Sequence, residues 1–146
     1  MGRIEMNKEF YNSIYKELLD AATNAKIDHP VIIANLGAAQ SCIETGFGKH
    51  APQNNYFGIK GKGGVQETKE FISGKWETIT AAFVGYSSRA ESAKGYVDFL
   101  VHNPRYKSVL QAKDIPSAIE KLADAGYATD PNYAKKLLNL HQSLIA

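Results

Sequence analysis

A single carboxylate, Glu44, lies where an apolar segment of the chain gives way to glycine. The residues around it run Gln40-Ser-Cys-Ile-Glu-Thr-Gly-Phe-Gly-Lys49. The preceding segment, from Pro30 to about Thr45, predicts a buried helix with proline in its first turn. Gly46 and Gly48 can adopt the positive φ that ends a helix. Glu44 is therefore expected in the last turn of a central helix.

This position favours acid chemistry at Glu44. The partial negative charge of a helix C-terminus disfavours a second negative charge, and so do apolar neighbours such as Ile43 and Phe47. Both effects raise the pKa of a carboxyl group, which a general acid working near neutral pH requires. From position alone, a solvated glutamate at a helix end is the competing interpretation.

Three further groups of residues follow in order, and with the first group they resemble a known family. They are Asn54-Asn-Tyr-Phe-Gly-Ile-Lys-Gly61, Phe99-Leu100 with Asn103-Pro-Arg-Tyr106, and Ala125-Gly-Tyr-Ala-Thr-Asp-Pro-Asn-Tyr-Ala134. This order is similar to the glucosaminidase domain of glycoside hydrolase family 73, of the phage endolysin and flagellar rod-cap type, over about residues 33–144. The resemblance implies cleavage of the β-1,4 bond after N-acetylglucosamine in peptidoglycan. It also implies a lysozyme-like, mostly helical fold with a small β-lobe.

Glycoside hydrolysis ordinarily uses a second group opposite the acid. The segment from Val65 to Phe83 predicts a β-hairpin turning at Ser73-Gly74, and its acids are Glu67, Glu70 and Glu77. The resemblance implies that Glu70 is the second catalytic carboxylate, with Glu67 as the fallback. A strand also commonly points a charge to solvent, which is the alternative for Glu70.

The remaining site predictions concern aromatic and amide side chains. The resemblance implies a catalytic role for Tyr127, whose phenol would orient water or the acetamido group of the sugar. Asn55 and Tyr56 are predicted to bind substrate, because amides bond acetamido groups and aromatic faces stack on sugar rings. Phe47, where the family often has tryptophan, and Trp76, the only tryptophan, are further binding candidates. Packing is the alternative for Trp76 and for Tyr127.

Composition predicts one globular domain over residues 1–146. The chain is 44% hydrophobic and 22% charged, and it has a single cysteine, Cys42, which is expected to be a buried thiol. The four histidines lack the close spacing of a metal site: His29, His50, His102 and His141. No metal and no cofactor are expected.

Charge and hydropathy limit the expected partners and location. A net charge of +2 is too small to predict nucleic-acid binding. Neither a secretory signal nor a run of about 18 apolar residues is visible, so no membrane insertion is expected. We expect a monomer made in the cytoplasm that acts on bacterial peptidoglycan glycan strands after release or export by another system.

The remaining periodicity predicts an α+β fold in which helices are grouped apart from a small antiparallel sheet. A packing helix is expected at about residues 7–26, with Asn7 as its cap. Beyond the hairpin, helices are predicted at about 89–101, after Pro104, at 116–125 and at 131–144. Asp130 is predicted to cap the last helix, and Gly126 to close the one before it.

Together these features predict a peptidoglycan hydrolase, an endo-β-N-acetylglucosaminidase of endolysin type, with Glu44 as general acid. An N-acetylmuramidase or a lytic transglycosylase is the nearest alternative, because the lysozyme-like fold also carries those activities. A different class of protein, a non-catalytic wall-binding module or a structural virion or flagellar component, is the third.

Overall fold

Helix α2 (Pro30–Thr45) lies at the centre of the fold, because its side chains are small or apolar nearly all round and most are buried. In the computed structural model, which describes residues 2–145, α1, α5 and α6 pack around it. The other α-helices are α1 (Arg3–Asn24), α3 (Arg89–His102), α4 (Lys107–Leu110), α5 (Ile115–Asp124) and α6 (Tyr133–Ile145). Short 3₁₀ helices span Pro52–Asn54 and Pro104–Tyr106.

Strands β1 (Lys60–Ile72) and β2 (Lys75–Phe83) form the one antiparallel hairpin of the described chain. Ser73 and Gly74 both have positive φ, 50° and 81°, which matches the twist of a two-residue hairpin turn. The register shifts between Lys60 and Val65, so the base of β1 is irregular. The mostly helical α+β fold with a small β-lobe, predicted from the sequence, is confirmed.

Helix α1 supplies an apolar stripe to the core, but its predicted start was wrong. The helix begins at Arg3 with Gly2 as its cap, and not at Asn7. The Gly2 amide donates to the Glu5 carboxylate at 3.3 Å, and the Met6 amide donates to the Gly2 carbonyl. These bonds satisfy backbone groups at the new terminus, which makes a cap at Asn7 unnecessary.

The last helix also begins later than predicted. Asp130 accepts a hydrogen bond from the Asn132 amide at 2.8 Å, which forms a turn, and α6 starts only at Tyr133. Gly126, with φ of 81°, follows the end of α5 as predicted. The segment between α5 and α6 therefore remains irregular from Ala125 to Asn132, and it runs beside the hairpin.

One cluster of buried side chains joins all the longer helices, and Cys42 is buried within it, as predicted. None of the helices within residues 2–145 combines the length and apolar character needed to cross a bilayer. Within the same residues, no three His, Cys, Asp or Glu side chains converge in a manner suited to a metal ion.

Candidate active site

An open groove runs between the hairpin and the helical body, and Glu44 lies near its middle. Two adjoining cavities make up the groove, and both are lined by Glu44, Gly58, Thr68 and Phe83. One half continues along His50, Pro52, Asn55, Gln66 and Glu67. The other half continues along Lys60, Lys69 and Glu70 of β1, Trp76 of β2, and the segment between α5 and α6. The carboxyl group of Glu44 is thus accessible from two directions.

The end of α2 and a glycine loop position Glu44. Gly46 adopts the left-handed conformation, with φ of 58°, and ends the helix one turn after the buried core residues. Gly58, with φ of 68°, brings its backbone against the carboxyl group, and a Cβ at this position would lie 2.7 Å from Oε2 of Glu44. Gly58 is therefore required both by its backbone conformation and by the closeness of the acid.

The pKa of Glu44 is raised to about 7. The residue is exposed along the open side of the groove, while protein surrounds its carboxyl group on the other sides, and this desolvation is the main cause. The Glu70 charge adds to the increase, whereas a hydrogen bond from Tyr133 and the Lys60 charge oppose it. This raised pKa, which keeps the proton on Glu44 in mildly acidic solution and on part of the molecules at neutral pH, agrees with the sequence prediction.

Glu70 is held in a contrasting environment on β1. Its Oε1 accepts from the Lys60 ammonium group at 2.6 Å, and its Oε2 accepts from the Thr129 hydroxyl at 2.6 Å. Partial burial alone would raise the pKa of Glu70, but these two hydrogen bonds and the Lys60 charge outweigh it and lower the pKa. The groove is therefore lined by two carboxyl groups with opposite shifts, a lowered pKa at Glu70 and a raised pKa at Glu44.

Strand alternation separates Glu70 from Glu67, and a lower exposure separates it from Glu77. Along β1, Gln66, Thr68 and Glu70 are partly buried, whereas Glu67 is exposed. Glu77 on β2 is exposed and lies directly opposite Glu70 in the hairpin register. Glu70 is thus the hairpin acid that both lines the groove with Glu44 and forms an ion pair.

Tyr127 lies in the groove wall, but its phenolic hydrogen is committed to the protein. The hydroxyl donates to the Phe57 carbonyl at 2.7 Å, and burial raises its pKa well above the ordinary tyrosine value. The ring stacks on Tyr133 with centroids 6.2 Å apart. This bond ties the loop that carries Gly58 to the α5–α6 segment, so Tyr127 supports the surroundings of Glu44.

Asn55 does not have the free amide that a substrate-binding residue would need. Its Nδ2 donates to the carbonyls of Ile59 at 2.8 Å and Val84 at 3.0 Å. Its Oδ1 accepts from the amides of Phe57 and Ile59, both at 3.2 Å. The side chain lines the groove but is 7% exposed, and these four bonds hold the loop in place. The structure therefore gives Asn55 a structural function.

Phe47 and Tyr56 pack against the core, and the groove walls in the described chain include neither. Tyr56 stacks on Phe10 with centroids 6.2 Å apart, and its backbone amide donates to Ser92. Phe47 has a positive φ of 61° just after the helix end and also packs against the core. Their predicted contact with substrate does not agree with these positions, because the Tyr56 ring lies against Phe10 on α1 and Phe47 packs against the core.

Trp76 lines the groove and is 51% exposed, which leaves an aromatic face available. Phe71 supports it edge-on at 5.4 Å, and the Lys136 ammonium group lies 5.8 Å from its ring centroid. The position fits the predicted stacking of a sugar ring on this residue.

Four residues around the acids were missed in the sequence: Gln40, Lys60, Thr129 and Tyr133. Gln40 precedes Glu44 by one helical turn and is fully buried, and its Nε2 donates to the Tyr133 hydroxyl at 3.0 Å. The Tyr133 hydroxyl in turn donates to Oε1 of Glu44 at 3.5 Å. A polar residue in an otherwise apolar helix, at i−4 from the acid, was the signal that could have identified Gln40.

Known proteins share this sequence and fold. The family model described as mannosyl-glycoprotein endo-beta-N-acetylglucosaminidase matches residues 19–145. The peptidoglycan hydrolase FlgJ of Escherichia coli (strain K12) is 36% identical over 137 residues, which cover 85% of this chain and 42% of FlgJ. The exo-glucosaminidase LytG of Bacillus subtilis (strain 168) is 36% identical over 118 residues, which cover 73% of this chain and 42% of LytG.

A solved structure of a peptidoglycan hydrolase mutant from Sphingomonas sp. A1 superposes with a TM-score of 0.80 at 28% identity, covering 94% of this chain and 98% of that chain. The chain spans less than half the length of the two curated relatives. The family match covers most of the chain and includes Glu44, Glu70 and Tyr127. The chain belongs to the glucosaminidase family that its sequence resembles, glycoside hydrolase family 73.

Proposed function

We propose that this protein is an endo-β-N-acetylglucosaminidase that cleaves the β-1,4 bond after N-acetylglucosamine in bacterial peptidoglycan. The observation that carries the proposal is the groove that continues on both sides of Glu44. A polymer can lie across such a groove with sugars on both sides of the cleaved bond, whereas an enzyme acting only on chain ends has no need of the second half. The names of the relatives FlgJ and LytG support peptidoglycan and glucosaminidase chemistry, respectively.

In the proposed reaction, Glu44 is the general acid. Its proton moves to the glycosidic oxygen as the bond between that oxygen and the anomeric carbon breaks. The oxygen of a water molecule finally takes the place of the glycosidic oxygen on the anomeric carbon. If Glu70 is the nucleophile, Glu44 itself takes one proton from the water in the second step; if Glu70 is the base, Glu70 takes that proton and exchange with solvent restores the proton on Glu44. Glu70, already ionised, stabilises the positive charge at the anomeric carbon and acts as base or nucleophile there.

Tyr127 and Trp76 complete the proposed site. Tyr127 holds the Phe57 carbonyl, and thereby keeps Gly58 against the carboxyl group of Glu44. Its phenolic oxygen still has a lone pair that can accept from water or from the substrate amide. Trp76 offers its exposed face to a sugar ring at the hairpin end of the groove.

One chain supplies every residue of this proposed site, so we infer that it acts as a monomer. Peptidoglycan lies outside the cytoplasmic membrane. We therefore infer that the protein is made in the cytoplasm and meets its substrate after release or export by another system.

Analysis of the products of purified peptidoglycan tests the proposal. After digestion and borohydride reduction, mass spectrometry should find new reducing ends on N-acetylglucosamine and glycan fragments of several sizes from early times. Reducing ends on N-acetylmuramic acid would indicate a muramidase, and 1,6-anhydro ends a lytic transglycosylase. Release of single terminal sugars would indicate exo action. Sedimentation with the wall without any release, identical for the wild type and Glu44→Gln, would indicate a binding or structural protein.

A further inference from the structure

A chain of buried hydrogen bonds leads from the core to the acid of the groove. Tyr96 on α3 donates to Oε1 of Gln40, Gln40 donates to Tyr133, and Tyr133 donates to Oε1 of Glu44. Tyr96 and Gln40 have no exposed surface, and Tyr133 is 4% exposed. Burying three polar groups is costly unless each finds a partner, so this arrangement in an apolar core calls for a reason.

Tyr96, at the core end of this series of hydrogen bonds, determines the direction of every bond in the series. The Tyr96 hydroxyl is fully buried, and Gln40 is its one hydrogen-bond partner in residues 2–145. Its hydrogen must therefore go to an acceptor on Gln40, which is the amide oxygen. The amide nitrogen then faces Tyr133 and donates to the phenolic oxygen. The opposite amide orientation would leave the buried Tyr96 hydrogen without an acceptor.

This orientation leaves Tyr133 one way to use its own hydrogen. The phenolic oxygen accepts from Gln40, so its hydrogen points instead to Oε1 of Glu44. Burial raises the pKa of Tyr133 well above the ordinary tyrosine value, with the Glu44 charge as the next cause, so this hydrogen stays in place over the whole working range of pH. Oε1 of Glu44 is thus a hydrogen-bond acceptor whenever the hydrogen bonds from Tyr96 to Tyr133 are intact.

The two oxygens of Glu44 therefore differ. A carboxyl oxygen that accepts from Tyr133 is the carbonyl oxygen of the neutral acid, so the acid's own proton lies on Oε2. Oε2 is the oxygen nearer Gly58, since a Cβ on Gly58 would lie 2.7 Å from Oε2 but 3.7 Å from Oε1. Gly58 lines both halves of the groove, which places the proton-bearing oxygen at the point where they meet.

We propose that Gln40 is a positioning residue that acts through Tyr133 to keep the proton of Glu44 on Oε2, the oxygen facing the groove. Gln40 touches neither the groove nor the substrate, and the proposal rests on the proposed function of Glu44 as general acid. The Tyr133 bond strengthens as Glu44 gives up its proton, because a carboxylate is a better acceptor than a neutral acid. The network therefore stabilises the state that follows proton transfer more than the resting state.

A double-mutant cycle between Gln40→Met and Tyr133→Phe tests this inference. Because the Tyr133 bond opposes the raised pKa of Glu44, each single variant should move the alkaline limb of kcat/KM to higher pH, and kcat should fall about tenfold. Gln40→Met should add nothing further in the Tyr133→Phe background. The other groups around Glu44 stay unchanged in every variant: Lys60 and Glu70 on β1, His50 and Tyr127.

Gln40→Met leaves the Tyr96 hydroxyl unpaired and can fail to fold, so Gln40→Met/Tyr96→Phe, which replaces both partners by apolar groups, serves as a second variant. The pKa of Glu44 can also be measured without substrate, by carbon NMR, with the Glu44 carboxyl resonance assigned from its loss in Glu44→Gln. These pKa values give the same double-mutant cycle. A raised Glu44 pKa in the variants supports the network even if the protein cleaves no peptidoglycan. In that case the proposed function would be wrong, and the inference about the hydrogen bonds would still hold. Independent, additive effects in the cycle, or an unmoved Glu44 titration in folded variants, would overturn the inference.

Discussion

Glu44 and Glu70 line one groove, yet their environments move their pKa values in opposite directions. Burial keeps the proton on Glu44, whereas Lys60 and Thr129 remove it from Glu70. A pair of titratable groups separated in this way can divide the work of acid and carboxylate at one pH. This division follows from the contacts of each side chain, since both residues are glutamates with the same ordinary pKa.

The pH dependence of kcat/KM should show both groups. Glu44 must be protonated, and its raised pKa keeps the proton until the pH rises through about 7, where activity is lost. Glu70 must be ionised, and its lowered pKa moves the acidic limb below the ordinary glutamate value of about 4.3. The measurement uses a soluble glycan at fixed ionic strength. An alkaline limb at or below the ordinary glutamate value would contradict the assignment of Glu44.

Substitution of the three acids should give a graded series. Glu44→Gln is nearly isosteric but cannot donate the proton, so we expect a loss of about 10²–10⁴-fold in kcat with an unchanged melting temperature. Glu70→Gln should also lose far more activity than Glu77→Gln. Glu77 lies directly across the hairpin from Glu70 and is the matched control. Equal and small losses at Glu70 and Glu77 would remove Glu70 from the mechanism.

At the scale of elements, the hairpin is attached to the helical body by a few polar contacts. Thr129, between α5 and α6, accepts from the Phe71 amide at 2.9 Å and donates to Glu70 at 2.6 Å. One hydroxyl therefore both fixes β1 across the groove and orients the second carboxylate. Lys136 on α6 lies over Trp76 nearby and adds a second contact.

Removing the Thr129 hydroxyl should loosen the hairpin and weaken catalysis together. Thr129→Val keeps the shape but loses both bonds, and a loss of about 1 kcal/mol corresponds to about a fivefold fall in kcat/KM. Hydrogen exchange of the Phe71 amide should become faster in the same variant. Thr129→Ser retains the hydroxyl and should restore both readouts. Slow exchange and full activity in Thr129→Val would show that the hairpin is held by other contacts.

The sequence predicted the elements better than the contacts between them. Proline at the start of α2 and Gly46 at its end are local signals, and so is the Ser73-Gly74 turn, because each depends on the backbone of neighbouring residues. The paired amide of Asn55 and the Tyr133 bond to Glu44 depend on segments far apart in the chain. Residue type and spacing alone could not predict these long-range contacts. For this reason, the site predictions for residues in loops agreed least with the structure.

At the scale of the whole molecule, the structural unit begins before the region matched by the family. The match starts at residue 19, yet Tyr11, Ile14 and Leu18 on α1 are already buried in the common core. Leu18 and Tyr96 press on Gly37 of α2, where a Cβ would lie 2.9 Å and 2.8 Å from them, respectively. The first helix therefore packs against the helix that carries Gln40 and Glu44.

Leu18→Ala should separate stability from chemistry. The side chain has no exposed surface, so its truncation leaves a cavity and should lower the free energy of unfolding by about 2–5 kcal/mol, measured in urea. Leu18→Met, which nearly conserves volume, should cost less than about 1.5 kcal/mol. Leu18 lines neither half of the groove, so kcat below the unfolding transition should equal the wild-type value. A stability loss no larger than that of Leu18→Met would mean that α1 is an appendage, whereas a fall in kcat of the folded variant would mean that α1 also fixes the geometry of the acid.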